Sequence, residues 1–179
     1  MLASPNGKYR AYAEVRAQVI GKEQCANTSE LFISARGQPF KPVFKQPPSD
    51  RYGTAGSLGP VAWSPNSQWL SVERGLWFYD SDADDIDLLL FDSRSGSVTA
   101  PDVNKLIRAA TARRCAPSYS IVGFDAHNRV RLQVEDDQDD EGAPKSNCFS
   151  GTVEWLLDPA LLTVQPVRVN HKNVRAKAQ

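Results

Sequence analysis

Two runs of carboxylates are the residues of this chain best suited to hold something. Asp80-Ser81-Asp82-Ala83-Asp84-Asp85-Ile86-Asp87 and Glu135-Asp136-Asp137-Gln138-Asp139-Asp140-Glu141 each crowd hard oxygen donors into a short stretch. Such donors suit Ca²⁺, which takes about six to eight oxygens. They equally suit a basic protein surface, where opposite charge sets encounter rate and selectivity. The first run lacks the glycine that sharpens an EF-hand loop and the closing bidentate Glu, so the residues expected to face a protein partner are Asp80, Asp82, Asp84, Asp85, Asp87, Asp136, Asp137, Asp139 and Asp140. A third reading is a pair of solvated hairpin tips whose charge discourages edge pairing.

Other chemistry is sparse. The chain has three cysteines, Cys25, Cys115 and Cys148, and two histidines, His127 and His171, which are too few to assemble a nucleophile, a base and an orienting group. Gly53-Thr54-Ala55-Gly56-Ser57-Leu58-Gly59 lacks the lysine of a phosphate-binding loop and reads as a flexible connector. Asn27-Thr28-Ser29 matches a glycosylation sequon. Trp63, Trp69, Trp77 and Trp155 fall within strand-like runs and read as core or inter-sheet packing. No catalytic residue, cofactor or metal ligand is assigned.

The elements that must position these groups come from a phrase that returns. Ser4-Pro5-Asn6-Gly7-Lys8, Ser64-Pro65-Asn66-Ser67-Gln68 and the worn copy Asp125-Ala126-His127-Asn128-Arg129 begin 60 and then 61 residues apart. Each precedes a β-rich run, starting at Tyr9, Trp69 and Val130. A fixed period of this length means one supersecondary unit used three times. In the middle unit Gly59 to Trp63 is a strand, Pro65 and Asn66 make the turn, and Gln68 to Tyr79 returns, with Gly75 marking a bulge. Ile86 to Phe91 is apolar on both faces and so is central, and Ser97 to Ala100 supplies an outer strand. The first unit lacks its opening strand. Val103 to Arg113 is the one helix, with Val103, Leu106, Ile107 and Ala110 on one face and Asp102 as N-cap.

On that plan Cys115 and Cys148 precede the first and third strands of the third unit, at one end of an up-down-up meander. They can pair, closing a loop worth roughly 3–4 kcal/mol in the chain-entropy model. The alternative is three buried reduced thiols.

The phrases Ser4-Pro5-Asn6-Gly7-Lys8-Tyr9 and Trp63-Ser64-Pro65-Asn66-Ser67-Gln68-Trp69-Leu70 resemble the "WSPDGKWLA" signature of WD-repeat-like β-propellers of the TolB type, also found in the propeller domains of prolyl-oligopeptidase-type enzymes. The resemblance implies a propeller and says little about activity, because that fold carries many functions. Propellers close with about four to eight blades, and three are visible here. The chain is then a fragment of a longer propeller, or has covered ends, or pairs as a homodimer whose three plus three blades form a ring.

The expected fold is therefore all-β: about three propeller-like four-stranded antiparallel blades in a partial or open propeller, with one short linking helix. The propeller-like domain covers 1–167, as repeats 1–58, 59–114 and 115–167, and a basic tail, 168–179, is expected to be flexible. Lys and Arg number 21 against 21 Asp and Glu, so no overall field draws the chain to nucleic acid or an anionic membrane. No apolar run approaches the roughly 20 residues of a spanning helix, so no membrane insertion is expected. The first phrase starts three residues after Met1, which reads as a mature segment whose signal peptide was removed. That places the chain in the periplasm or outside the cell, with the cytoplasm as alternative. The function expected is a non-enzymatic protein-binding module, such as an exported binder or inhibitor of another protein. The alternatives are an accessory propeller segment of a larger hydrolase or peptidase and a Ca-binding envelope protein.

Overall fold

The computed structural model describes residues 1–20, 24–46, 54–78, 84–111, 117–136, 149 and 151–167. Their strands form three antiparallel four-stranded sheets. Blade 1 contains β1 (Leu2–Ala3), β2 (Tyr9–Ile20), β3 (Gln24–Ala35) and β4 (Lys41–Gln46). Blade 2 contains β5 (Thr54–Trp63), β6 (Trp69–Phe78), β7 (Asp84–Asp92) and β8 (Val98–Thr99). The helix α1 (Val103–Thr111) leads to blade 3, made of β9 (Pro117–Phe124), β10 (Val130–Asp136), β11 (Val153–Asp158) and β12 (Thr163–Pro166). Within each sheet the strands lie side by side in chain order.

Alternation of side chains along β7 makes blade 2 the middle of the stack. Leu89 and Phe91 join Leu70, Val72, Leu58 and Trp63 in one core, which meets Ala11, Leu31 and Ile33 of blade 1. Leu88 and Leu90 point the other way, into a core with Val130, Leu132, Val134, Trp155 and Leu157 of blade 3. Leu70, Leu88, Leu89, Leu90, Leu132 and Leu157 are fully buried, and each contributes about 1.5–3 kcal/mol by leaving water. The indole of Trp63 stacks on Tyr9 of blade 1 at 5.7 Å and meets Phe91 edge-on at 6.2 Å. The tryptophans with described side chains thus serve packing.

The helix fills the wedge between blades 2 and 3. Asp102 Oδ1 accepts the Lys105 N–H at 2.8 Å, capping the first turn as its sequence position requires. Val103 and Ile107 are buried in the second core and Leu106 packs against it. Ala110, expected on the same face, is exposed.

Three local expectations are corrected. The opening strand of blade 1 exists, but only as the two-residue β1. The glycine-rich stretch from Thr54 onward is strand, not connector, because its backbone pairs with β6 from Thr54↔Phe78 onward. Gly75 pairs regularly with Ser57 and Ile86, and the bulge falls instead at Val61, between Pro60 and Ala62.

Candidate functional site

In chain order the acidic runs fall between β6 and β7 and between β10 and β11, and of their residues 84–87 and 135–136 are described. Asp84, Asp85 and Asp87 belong to β7 itself, paired with Trp77, Leu76 and Arg74. Asp87 is held by its cross-strand neighbour: Arg74 Nε reaches Asp87 Oδ2 at 3.1 Å and its Nη2 bonds the same oxygen. That carboxylate is already compensated. Asp136 pairs with Pro117 along the backbone, and the Glu135 carboxylate accepts the Thr152 hydroxyl at 3.3 Å. Asp80, Asp82, Asp137, Asp139 and Asp140, Cys115, Cys148 and the tail 168–179 lie outside the described residues. Among the described residues no three His, Cys, Asp or Glu side chains gather as a metal site.

At the opposite end of the sheets the three repeated phrases form a hydrogen-bonded ladder. Ser4 Oγ accepts the Tyr9 N–H, and Asn6 Oδ1 accepts the Ser4 hydroxyl and the Lys8 N–H. Ser64 and Asn66 repeat this with Trp69 and Gln68. In the third copy Asp125 does both tasks alone, its Oδ1 accepting the His127 and Arg129 N–H groups at 2.9 Å. That turn is one residue shorter: Ser4 and Ser64 bond back to Tyr9 and Trp69, whereas the Asp125 N–H bonds the carbonyl of Arg129. Arg129 therefore stands where Tyr9 and Trp69 stand, while β10 begins at Val130 as the sequence reading expected.

Neighbouring turns then join. The Asn6 N–H donates to Ser67 Oγ at 3.1 Å, and the Asn66 N–H donates to Asn128 Oδ1 at 2.9 Å. Both acceptors sit at positive φ, 61° and 65°, a conformation that aims a short polar side chain at the preceding turn. The equivalent residue of blade 1 is Gly7, which has no side chain to offer, and the His127 N–H turns inward to Asp125. The ladder thus ends cleanly at both sides of the stack.

The two outer faces differ in character from the inner ones. Arg10 and Tyr12 occupy the places that Leu70 and Val72 fill in blade 2. Tyr12 stacks on Phe32 at 4.9 Å, Phe40 meets Tyr12 edge-on at 4.8 Å, and the Arg10 guanidinium lies 5.4 Å from the Phe40 ring centre. All three rings are half-buried on a sheet face over which, among the described residues, no blade lies, and Arg10 is exposed. Beside them Glu14 and Glu30 stand directly opposite each other, a repulsive arrangement relieved by Arg16 at 3.1 Å and Lys45 at 2.9 Å. The Lys45 hydrogen bond holds the Glu30 carboxyl below the usual range. Blade 3 ends in polar groups, with Arg131 on Glu154 at 2.7 Å and Gln133 exposed. Sequence reading missed the ring cluster; its signal was Arg10 and Tyr12 standing 60 residues before Leu70 and Val72.

No family model, curated protein or solved structure matches the chain.

Proposed function

We propose that this chain is a non-enzymatic protein-binding module, built as an open three-bladed member of the WD-repeat-like propellers and working as an exported binder or inhibitor of another protein. The observation that carries the reading is the outward face of blade 1. Tyr12, Phe32 and Phe40 under Arg10 have the aromatic and arginine composition of interface centres, ringed by the Glu14–Arg16 and Glu30–Lys45 pairs as a polar rim. Asp87 is neutralised by Arg74, so partner-directed charge is assigned to Asp80, Asp82, Asp84, Asp85, Asp136, Asp137, Asp139 and Asp140. The charged outer faces, Arg10 and Glu14 on blade 1 and Arg131 and Glu154 on blade 3, favour a monomeric arc over a six-bladed ring of two copies.

A photoreactive phenylalanine analogue tests the reading when placed at position 12 and, as control, at exposed Lys105. Irradiation with an extract of the native host is expected to give one discrete adduct from position 12 and none from position 105. Equal labelling from both positions, or no adduct from position 12, would remove the proposal.

A further inference from the structure

The first turn of the ladder carries a reactive amide. Asn6 is followed by Gly7, and a glycine leaves its backbone nitrogen unshielded by any side chain. That nitrogen is the nearest nucleophile to the Asn6 side-chain carbonyl carbon, and its attack closes an imide ring. Asn6 and Gly7 are both exposed. Gly7 sits at φ 66°, and a Cβ placed on it would meet nothing within 4 Å, so the main chain has room to swing.

The turn prepares that carbonyl for attack. The Ser4 hydroxyl and the Lys8 N–H both donate to Asn6 Oδ1 at 2.9 Å, the oxygen on which negative charge grows as the nitrogen adds. Among the described residues nothing bonds Asn6 Nδ2, the leaving nitrogen. One bond opposes the reaction: the Gly7 N–H donates to the Ser4 carbonyl at 2.9 Å and must open first. Asn66 and Ser67 repeat this arrangement, with the Ser64 hydroxyl and the Gln68 N–H on Asn66 Oδ1, but their turn is locked. Ser67 Oγ holds the Asn6 N–H, the Ser67 carbonyl accepts the Ser93 hydroxyl at 3.1 Å, and Ser67 is 2% exposed. Gly7 has neither bond among the described residues. Two added bonds of ordinary strength make the middle turn open about tenfold or more less often. In the third turn the nitrogen after Asn128 is held by the Asp125 carboxylate.

We infer that Asn6 is a site of spontaneous deamidation in the folded protein, with water as the co-reactant and the Asn66 copy spared. The Gly7 nitrogen gives its proton to solvent base and bonds to Asn6 Cγ. The Cγ–Nδ2 bond breaks, ammonia leaves, and a succinimide remains. Water then opens the ring at either carbonyl. Opening at Cγ gives aspartate; opening at the main-chain carbonyl carbon gives isoaspartate, which routes the chain through the side chain and adds a methylene. The turn receives aspartate well, because a carboxylate at position 6 accepts the Ser4 hydroxyl and the Lys8 N–H as charge-assisted bonds. Asp125 already does the same for the His127 and Arg129 N–H groups. Isoaspartate lengthens the main chain inside the turn, so the Gly7 bond to Ser4 no longer fits, and the rung to Ser67 that joins blades 1 and 2 is loosened. Either product adds a negative charge to a chain whose formal charge is zero.

The test incubates the full chain at mildly alkaline pH and follows it by trypsin digestion and mass spectrometry, which places Asn6 in peptide 1–8 and Asn66 in peptide 52–74. Peptide 1–8 is expected to gain about 1 Da, as a mixture of aspartate and isoaspartate. Its conversion is expected to outpace that of peptide 52–74 about tenfold or more. Asn6→Asp, the aspartate product made directly, is the chromatographic standard. Gly7→Ser gives the first turn the Asn-Ser pair of the second, in a conformation Ser67 already adopts at φ 61°, and is expected to slow the conversion several-fold. Where that variant fails to fold, the ratio of the two peptides in the parent chain decides alone. Equal rates in the two peptides, or an unslowed Gly7→Ser chain, would overturn the inference. So would a peptide 1–8 left unshifted when the free synthetic peptide of the same sequence is fully converted. Aspartate without isoaspartate would assign direct hydrolysis in place of the imide and overturn it equally.

Discussion

Asp125 shows how much a single side chain carries in the third turn. Burial pushes its carboxyl upward, yet the Arg129 amide, the Arg129 guanidinium and the His127 amide together hold it below its ordinary value. A carboxyl with a depressed pKa in the folded state stabilises the fold above its unfolded pKa, and that contribution is lost as pH falls through the folded value. Stability measured by urea unfolding is therefore expected to drop as pH falls below the unperturbed 3.8. Asp125→Asn keeps an acceptor oxygen but no charge. It is expected to cost about 1–2 kcal/mol at neutral pH and to flatten the acid limb; an unchanged acid limb would show that the pairing with Arg129 contributes nothing. Tyr119 is a second such residue. Burial raises its hydroxyl to about 12, and that oxygen accepts the Leu88 N–H at 3.0 Å, tying the first strand of blade 3 to β7.

Between elements, the sharpest junction is the clasp of β3 on β5. The Asn27 amide bonds Gly56 in both directions, Nδ2 to the carbonyl and Oδ1 from the N–H, each at 3.0 Å, and the Ser29 hydroxyl adds a third bond at 2.9 Å. The sequon residues thus serve as an inter-blade fastener. A Cβ on Gly56 would collide with the buried Gln46 amide, so Gly56→Ala is expected to destabilise by about 1–3 kcal/mol. Gln46→Ala in the same chain is expected to recover most of that loss, and purely additive effects in thermal melts would contradict the close approach of Gln46 to Gly56. The blades themselves were legible in sequence because the turn phrase and the two-faced apolarity of Ile86 to Phe91 are local signals. The clasp, the bulge at Val61 and the shortened third turn were not, because each depends on which backbone lies opposite. Asp87 illustrates the same limit at the site: a carboxylate run reads as free charge until strand register places Arg74 across from it.

At the scale of the molecule, blade 2 is the centre of a stack, apolar on both faces, and among the described residues no strand or blade covers the outer face of blade 1 or the edge of β2 beyond Tyr12. That face carries the ring cluster, and that edge carries the backbone groups of Ala13 and Val15, since the Ser4 N–H bond to the Tyr9 carbonyl turns the odd residues of β2 that way. Residue-resolved hydrogen exchange on the free protein tests this most directly. The amides of Leu70, Val72, Leu89 and Leu90 are predicted to exchange only through global unfolding, while those of Ala13 and Val15 exchange near the rate of an unstructured peptide. Edge amides in β2 as slow as those of the central sheet, or a central sheet that opens before its neighbours, would contradict it.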